Sequence, residues 1–332
     1  MVPFDLHFPK AYSSVLGSAI FKHLPSDFVV EEILPDALLP NDTTTGEHFY
    51  VHVTKTSTNT QWLAKQLAKI VGCSERDVGY CGLKDRHAIT SQWFSFYLPK
   101  SEKDFRISLP EALSEQVLVH QQYWHSKKLR RGMHSANRFR IRLRNFDVNE
   151  SILNDRLQQI QLKGVPNYFG EQRFGRNGNN LVMANQMWVE QQKISVRSQK
   201  NMAVSAARSY VFNEVLRGRV EDETWADAID GDCCDEAGLP TGPLWGRGRS
   251  AAQSSAGDRE THSLAPLKPW LDGLEHCGLS QERRAFVLPV SELQYTYGEQ
   301  CLELNFELAP GQYATSVLAE IADLQKQSEP VL

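Results

Sequence analysis

The sequence predicts an α+β protein in which a mixed strand-and-helix part draws on both ends of the chain and a mostly helical part lies between them. Three observations carry this. Near the N-terminus, alternating β-prone runs give way to a segment of helical period. The segment NRFRIRLRNF alternates apolar and cationic residues as a half-buried strand does. More than a hundred residues later, CLELNFEL repeats that alternation and is followed by a turn and a helical stripe. A chain of 332 residues is also long for one domain, since domains run to about 150 residues each.

In chain order, DFVVEEI is a short strand after the proline turn of FKHLP, and EHFYVHVTKTS is a second strand. In TNTQWLAKQLAKIVG the period changes: Trp62, Leu63, Leu67 and Ile70 fall on one helical face, Asn59 or Thr60 can cap it, and Gly72 ends it. Ser91 to Leu98 is a strand. In NRFRIRLRNF, Asn137, Phe139, Ile141 and Leu143 share one face, and Arg138, Arg140, Arg142 and Arg144 share the other. VPNYFGEQRFGRNGNN is a turn-rich loop, and KNMAVSAARSYVFNEVLRG is a long helix closed by Gly218. From Glu221 to Asp258 the chain is rich in Gly, Pro, Ser and acids. In CLELNFEL the residues Leu302, Leu304, Phe306 and Leu308 face one way, and a helix after APGQYAT carries Val317, Ile321 and Leu324 on one stripe. The expected division is residues 1–159 and 299–332 as one domain, interrupted by 160–298 as a helical insert.

Composition narrows the class. Apolar residues make up 41% and charged residues 23%, which fits a soluble globular protein rather than a disordered or fibrous one. No apolar run reaches the roughly 18 to 20 residues a membrane helix needs, and MVPFDLHFPK lacks a signal-peptide layout, so the cytoplasm is the expected address. The six cysteines form neither a CxxC pair nor a Cys/His group at zinc-ligand spacing, so no metal is expected. Net charge is -4 and gives no sign of a nucleic-acid partner. Its distribution does: from Gln116 to Phe146 there is no acid, and Lys127, Lys128, Arg130, Arg131, Arg138, Arg140, Arg142 and Arg144 make eight cations.

The stretch GYCGLKDRHAIT sets one acid, Asp85, between Lys84 and Arg86. Taken alone, KDR in a glycine turn reads as a solvated charge cluster, because turns favour Asp anyway. No paired-carboxylate motif flanks it, the nearest acids being Asp77 and Glu102. A single carboxylate held among cations stays ionised, which suits a nucleophile or a base better than an acid.

GYCGLKDRHAITSQWFSF resembles the motif around the catalytic aspartate of the TruD family of pseudouridine synthases. FKHLPSDFVVEE, SANRFRIRLRNF, GVPNYFGEQRFG, LPTGPLWG and LAPGQYATSVLAEI resemble other segments of that family, in the family's order and over nearly the whole chain. The resemblance implies a pseudouridine-synthase core, a mixed sheet flanked by helices, carrying a family-specific insert. It implies isomerisation of uridine 13 of transfer RNA. That reaction neither oxidises nor hydrolyses anything and no cofactor motif is visible, so no cofactor is expected; no protein partner is implied, and a monomer is expected. Asp85 would be the catalytic residue. Phe28 and Tyr313 would contact the substrate nucleotide, Asn137 and Phe139 would hold and stack on the uracil, and Lys22 would pair with Asp85. Many family members carry Phe where this chain has Tyr313; stacking survives that change, and the role of the hydroxyl is left open.

Pattern alone reads these residues more plainly. Phe139 fits the packed face of its strand, Phe28 and Tyr313 fit core or turn packing, and Lys22 reads as a surface lysine. Asn137 on the packed face points further, because a buried amide needs partners that a uracil edge could supply. The arginine face fits a solvated sheet edge as well as a phosphate-binding surface, and Lys127, Lys128, Arg130 and Arg131 are the candidates for RNA-backbone contact. A non-catalytic RNA-binding protein explains the patch but not Asp85. A methyltransferase would need a glycine-rich cofactor loop, and none is present. A base-releasing glycosylase would yield free uracil.

Overall fold

The computed structural model describes residues 4–39 and 45–325, and these form two compact units. Of the described residues, one unit comprises 17–39, 45–150, 291–312 and 322–325; the other comprises 4–16, 151–290 and 313–321. The second unit therefore includes two short segments from near the ends of the chain, 4–16 and 313–321, as well as most of its middle.

Among the described residues, the first unit is organised by a ten-stranded mixed sheet. Its main path runs Ser291–Gly298, Cys301–Leu308, Ala136–Arg144, Phe28–Ile33, Ile89–Tyr97, His48–Thr56 and Val117–His125. Phe28–Ile33 and Ile89–Tyr97 are parallel neighbours, and the other pairs on this path are antiparallel. The pairing of Cys301–Leu308 with Ala136–Arg144, Leu308 opposite Asn137, brings the late strand into the sheet of the early ones, as the sequence led us to expect. A strand that was not anticipated, Gly17–Phe21, pairs with both Ala136–Arg144 and Ala322–Gln325.

Asn59, not Thr60, caps the helix Thr60–Val71: its side chain accepts the backbone N–H groups of Gln61 and Trp62, and Gly72 closes the helix in the left-handed region at φ 76°. Leu63 and Leu67 enter the core with Phe49, Val51, Val53, Phe94 and Phe96 of the sheet. Trp62 departs from the expected face and is 46% exposed, because the buried stripe runs through Leu63, Ala64, Leu67, Ala68 and Val71. Removing the sheet's apolar side chains from water supplies the driving force here, at about 25 cal/mol per Å².

The second unit is built on the helix Arg197–Glu221, whose Ala203, Ala207, Val211, Val215 and Leu216 are buried. The helix runs through Gly218 rather than stopping there. A side chain at 218 would begin 3.2 Å from the Ser263 hydroxyl of the helix Ser254–Leu264, so glycine serves close packing and not termination. Buried Arg219 then pairs with Asp232 at 2.8 Å and donates to the carbonyls of Thr224 and Asp227, which secures the chain as the helix ends. The C-terminal helix is shorter than expected. It spans Ala314–Ala319, and the chain returns to extended structure at Ala322–Gln325, so Val317 and Leu324 lie in different elements. The backbone pairing of Ala322–Gln325 with Gly17–Phe21 outweighs the helical spacing of three apolar residues. Among the described residues, no helix is long and apolar enough to cross a membrane.

Candidate active site

Asp85 lies in the irregular turn between the strands Val78–Tyr80 and Ile89–Tyr97. Two anchors fix that turn. The Thr60 hydroxyl, at the start of the capped helix, accepts the Lys84 backbone N–H at 3.1 Å and donates to Gln92 at 2.9 Å. The ammonium of Lys55, a fully buried residue of the strand His48–Thr56, donates to the Thr58 carbonyl at 2.5 Å and to the Asp85 carbonyl at 3.1 Å. Burial brings that ammonium down to about 8, against the opposing pull of Asp85. The backbone is thus held while the side chain, 34% exposed, reaches out.

One Asp85 oxygen is ion-paired with Lys22, and the other accepts the His87 backbone N–H at 3.2 Å. Lys22 stands in the left-handed region at φ 57°, unusual for a residue with a side chain, directly after the strand Gly17–Phe21. Its ammonium lies over the Phe28 ring at 4.0 Å and near Phe21 at 5.2 Å. This cation–π seat aims the charge at Asp85. Lys22 is therefore not the plain surface lysine that pattern alone suggested.

Asn137 and Phe139 point to the same side of the sheet as their cross-strand neighbours Glu32 and Val30, and as Phe28, which lies opposite Ile141. Phe139 is 7% exposed; its ring stacks on Phe306 at 5.5 Å and meets Phe28 at 6.0 Å. In this state its packing is that of a core residue behind Phe28. Asn137 is drawn to the Asp85 turn through Lys84, whose ammonium donates to Asn137 Oδ1 at 2.5 Å and sits 2.7 Å from Glu32.

Sequence reasoning missed Glu32, Lys55 and His134, and saw Lys84 only as a flanking charge. Alternation along FVVEEI placed Glu32 on the inward face with Phe28 and Val30, and that was the available signal. Glu32 also brings an unforeseen grouping. Its carboxylate, the Cys81 thiol and the His134 imidazole have donor atoms within 4.8 Å of one another, all buried, although positions 32, 81 and 134 show no ligand spacing. The Lys84 ammonium already engages that carboxylate. Burial pushes the Cys81 thiol up to about 12, with Glu32 adding to the rise. Burial and the Lys84 charge bring His134 down to about 4. A protonated thiol beside an ammonium is a poor nest for a divalent cation.

The arginine face is largely spoken for. Arg138 pairs with Glu31 and Glu307, Arg142 with Glu303, and Arg144 with Asp27, acids supplied by the neighbouring strands and the turn before Phe28. The acid-free stretch in sequence thus acquires its acids across the sheet. Lys127, Lys128, Arg130 and Arg131 lie outside that face, in the loop between Val117–His125 and Ala136–Arg144; Lys127, Arg130 and Arg131 are exposed, and Lys128 donates to the Arg76 carbonyl at 2.5 Å. Tyr313 belongs to the second unit, where it precedes the short helix Ala314–Ala319 and packs against the apolar cluster around Phe169 and Phe212.

A carboxylate presented by a braced turn and paired with a lysine, with an inward-facing amide drawn to the same turn, is a constellation able to receive a planar, hydrogen-bonding substrate. The family model for tRNA pseudouridine synthase D (TruD) matches residues 15–196. The chain is 42% identical to a tRNA pseudouridine synthase D of Cellvibrio japonicus over 98% of its own length and 95% of the relative's. It is 39% identical to that of Nitrosococcus oceani, covering 94% and 92%. A crystal structure of a Methanosarcina mazei protein assigned as tRNA pseudouridine synthase D superposes with a TM-score of 0.70 at 22% identity, covering 96% of each chain, which shows a shared fold. The chain belongs to the tRNA pseudouridine synthase D (TruD) family.

Proposed function

We propose that this protein converts uridine to pseudouridine in transfer RNA, at position 13, with Asp85 as the catalytic carboxylate. The observation that carries the reading is the Asp85 side chain of the GLKDR motif, ion-paired with Lys22 and mounted on a turn whose backbone is pinned by Lys55 and Thr60. The names of the curated relatives support the reaction and the transfer-RNA substrate.

The reaction breaks the bond from ribose C1′ to uracil N1 and joins C1′ to C5. N1 ends with a proton and C5 loses one, so the product is an isomer. The target base must leave its stack to reach a side chain. Asp85 either adds to C1′ or removes a ribose proton, and both routes use an ionised carboxylate beside the sugar. Phe28, with Lys22 on one face of its ring, contacts the nucleotide, Phe139 supports Phe28, and Asn137 meets the uracil edge. Residues 160–290 act as an insert in the catalytic core, the strand Ser291–Gly298 that the sequence grouped with them being paired into the core sheet, and the enzyme works as a cytoplasmic monomer.

The test is to incubate the protein with unmodified transfer RNA, digest, and look for pseudouridine without a change of mass. Asp85→Asn keeps the shape but not the charge, so it should keep the fold and RNA binding and lose conversion. Substantial product from a deamidation-free Asp85→Asn protein would remove Asp85 from the mechanism.

A further inference from the structure

Asn137 is gripped by two partners whose chemistry allows its amide one orientation. Glu32, the cross-strand neighbour of Asn137, has a wholly buried side chain. One carboxylate oxygen accepts the Trp93 backbone N–H at 3.1 Å, and the other lies 2.7 Å from the Lys84 ammonium. Lys84, itself only 6% exposed, donates to Asn137 Oδ1 at 2.5 Å. On the opposite side, Asn137 Nδ2 stands 3.1 Å from Nε2 of buried His134. An ammonium has no acceptor, so the amide oxygen faces Lys84. A neutral imidazole can then accept from the amide N–H at Nε2. One lone pair of Oδ1 and one N–H of Nδ2 remain for a ligand.

We propose that Glu32 is a positioning residue: by locking Lys84 against Asn137 it fixes the amide to grip the edge of uracil that isomerisation leaves unchanged. The inference rests on the function proposed above. Uracil presents O2, N3–H and O4 along one edge. To exchange N1 for C5 at C1′, the detached ring turns by half a revolution about the line from N3 to C6. That turn swaps N1 with C5 and O2 with O4, and it returns N3–H to its starting place. An amide that offers one acceptor and one donor can therefore bond N3–H and a flanking carbonyl both before and after the turn. A reversed amide would set its donor against N3–H and its oxygen against a carbonyl, which repels at both positions. Lys84 alone could swing away; the Glu32 carboxylate, held by the Trp93 N–H, keeps it in place.

The experiment is a double-mutant cycle on the single-turnover rate of pseudouridine formation, using Glu32→Gln, Asn137→Ala and the two combined. Glu32→Gln should slow conversion by about tenfold or more while the Kd for transfer RNA stays within about twofold, and in the Asn137→Ala background it should add less than about twofold. A purely structural Glu32 would give effects that multiply. Glu32→Gln leaves the Lys84 charge buried without its carboxylate and can lose stability on that account. The combined Glu32→Gln and Lys84→Met protein removes the charge as well, and when shown folded by its thermal transition it should be as slow as Glu32→Gln. Multiplying effects in the cycle, or a folded Glu32→Gln, Lys84→Met protein with the wild-type rate, would overturn the inference and leave the proposed function standing. A wild-type protein that forms no pseudouridine in transfer RNA would overturn the function and this inference together.

Discussion

Lys55→Met should separate stability from activity. The Lys55 ammonium is fully buried, and burial lowers it from 10.5 to about 8. Holding it charged at pH 7 therefore costs the folded state about 3 kcal/mol. A group with a depressed folded value contributes stability above its unfolded value that is lost as pH falls through the folded one. The wild-type protein should accordingly gain stability between about pH 8 and pH 10.5, with the other titrating groups superimposed. Methionine keeps most of the volume and removes the charge cost, but it strands the carbonyls of Thr58 and Asp85, at about 1–3 kcal/mol each. The terms nearly cancel at pH 7. The net change should lie within about 3 kcal/mol of wild type, or at most about 12 °C in Tm for a unit of this size. Activity has no such cancellation. The Asp85 backbone loses its tether, and a misplacement near 1 Å costs about 100-fold in rate. Thermal transitions at pH 7 and pH 10, with single-turnover rates on transfer RNA, check both halves. A folded Lys55→Met protein with full activity, or a stability difference from wild type equal at the two pH values, would refute the reasoning.

Three further outcomes are expected. Replacing Lys127, Lys128, Arg130 and Arg131 together should weaken transfer-RNA binding and lower the slope of log Kd against log salt by about 0.7 to 0.9 for each phosphate no longer neutralised; an unchanged slope would assign them to a solvated loop. The neutral His134 imidazole should contribute stability present above pH 6.5 and lost as pH falls through about 4, so the stability gap between wild type and His134→Leu should shift by up to about 3 kcal/mol across that window; a constant gap would contradict the burial argument. Activity should survive EDTA once the RNA is folded, because a divalent ion at Glu32 must displace the Lys84 ammonium; activity restored only by a stoichiometric transition metal would refute this.

Local pattern sufficed wherever one residue's chemistry or a short period decides the outcome. Alternation along NRFRIRLRNF gave the strand, its buried face and the inward Asn137, and Asn59 with Gly72 bounded the first helix. The motif around Asp85 named the family through residues adjacent in sequence, so no knowledge of the fold was required. What pattern could not supply were the partners. Sequence showed an acid-free cationic run, and the sheet set Glu31, Glu303, Glu307 and Asp27 beside its arginines, because strand pairing joins residues far apart in the chain. Glu32 read as one of two adjacent acids in a strand, and only the packing of Lys84, Asn137 and His134 around it made it part of the site. The apolar stripe of Val317, Ile321 and Leu324 was legible but misleading, since hydrogen bonding to Gly17–Phe21 drew Ala322–Gln325 into the sheet. The sequence by itself determined the family and most of the elements, which depend on neighbours along the chain. The charge environment of the site and its braced turn were decided by tertiary structure alone, because burial and Coulomb interactions depend on distance in space.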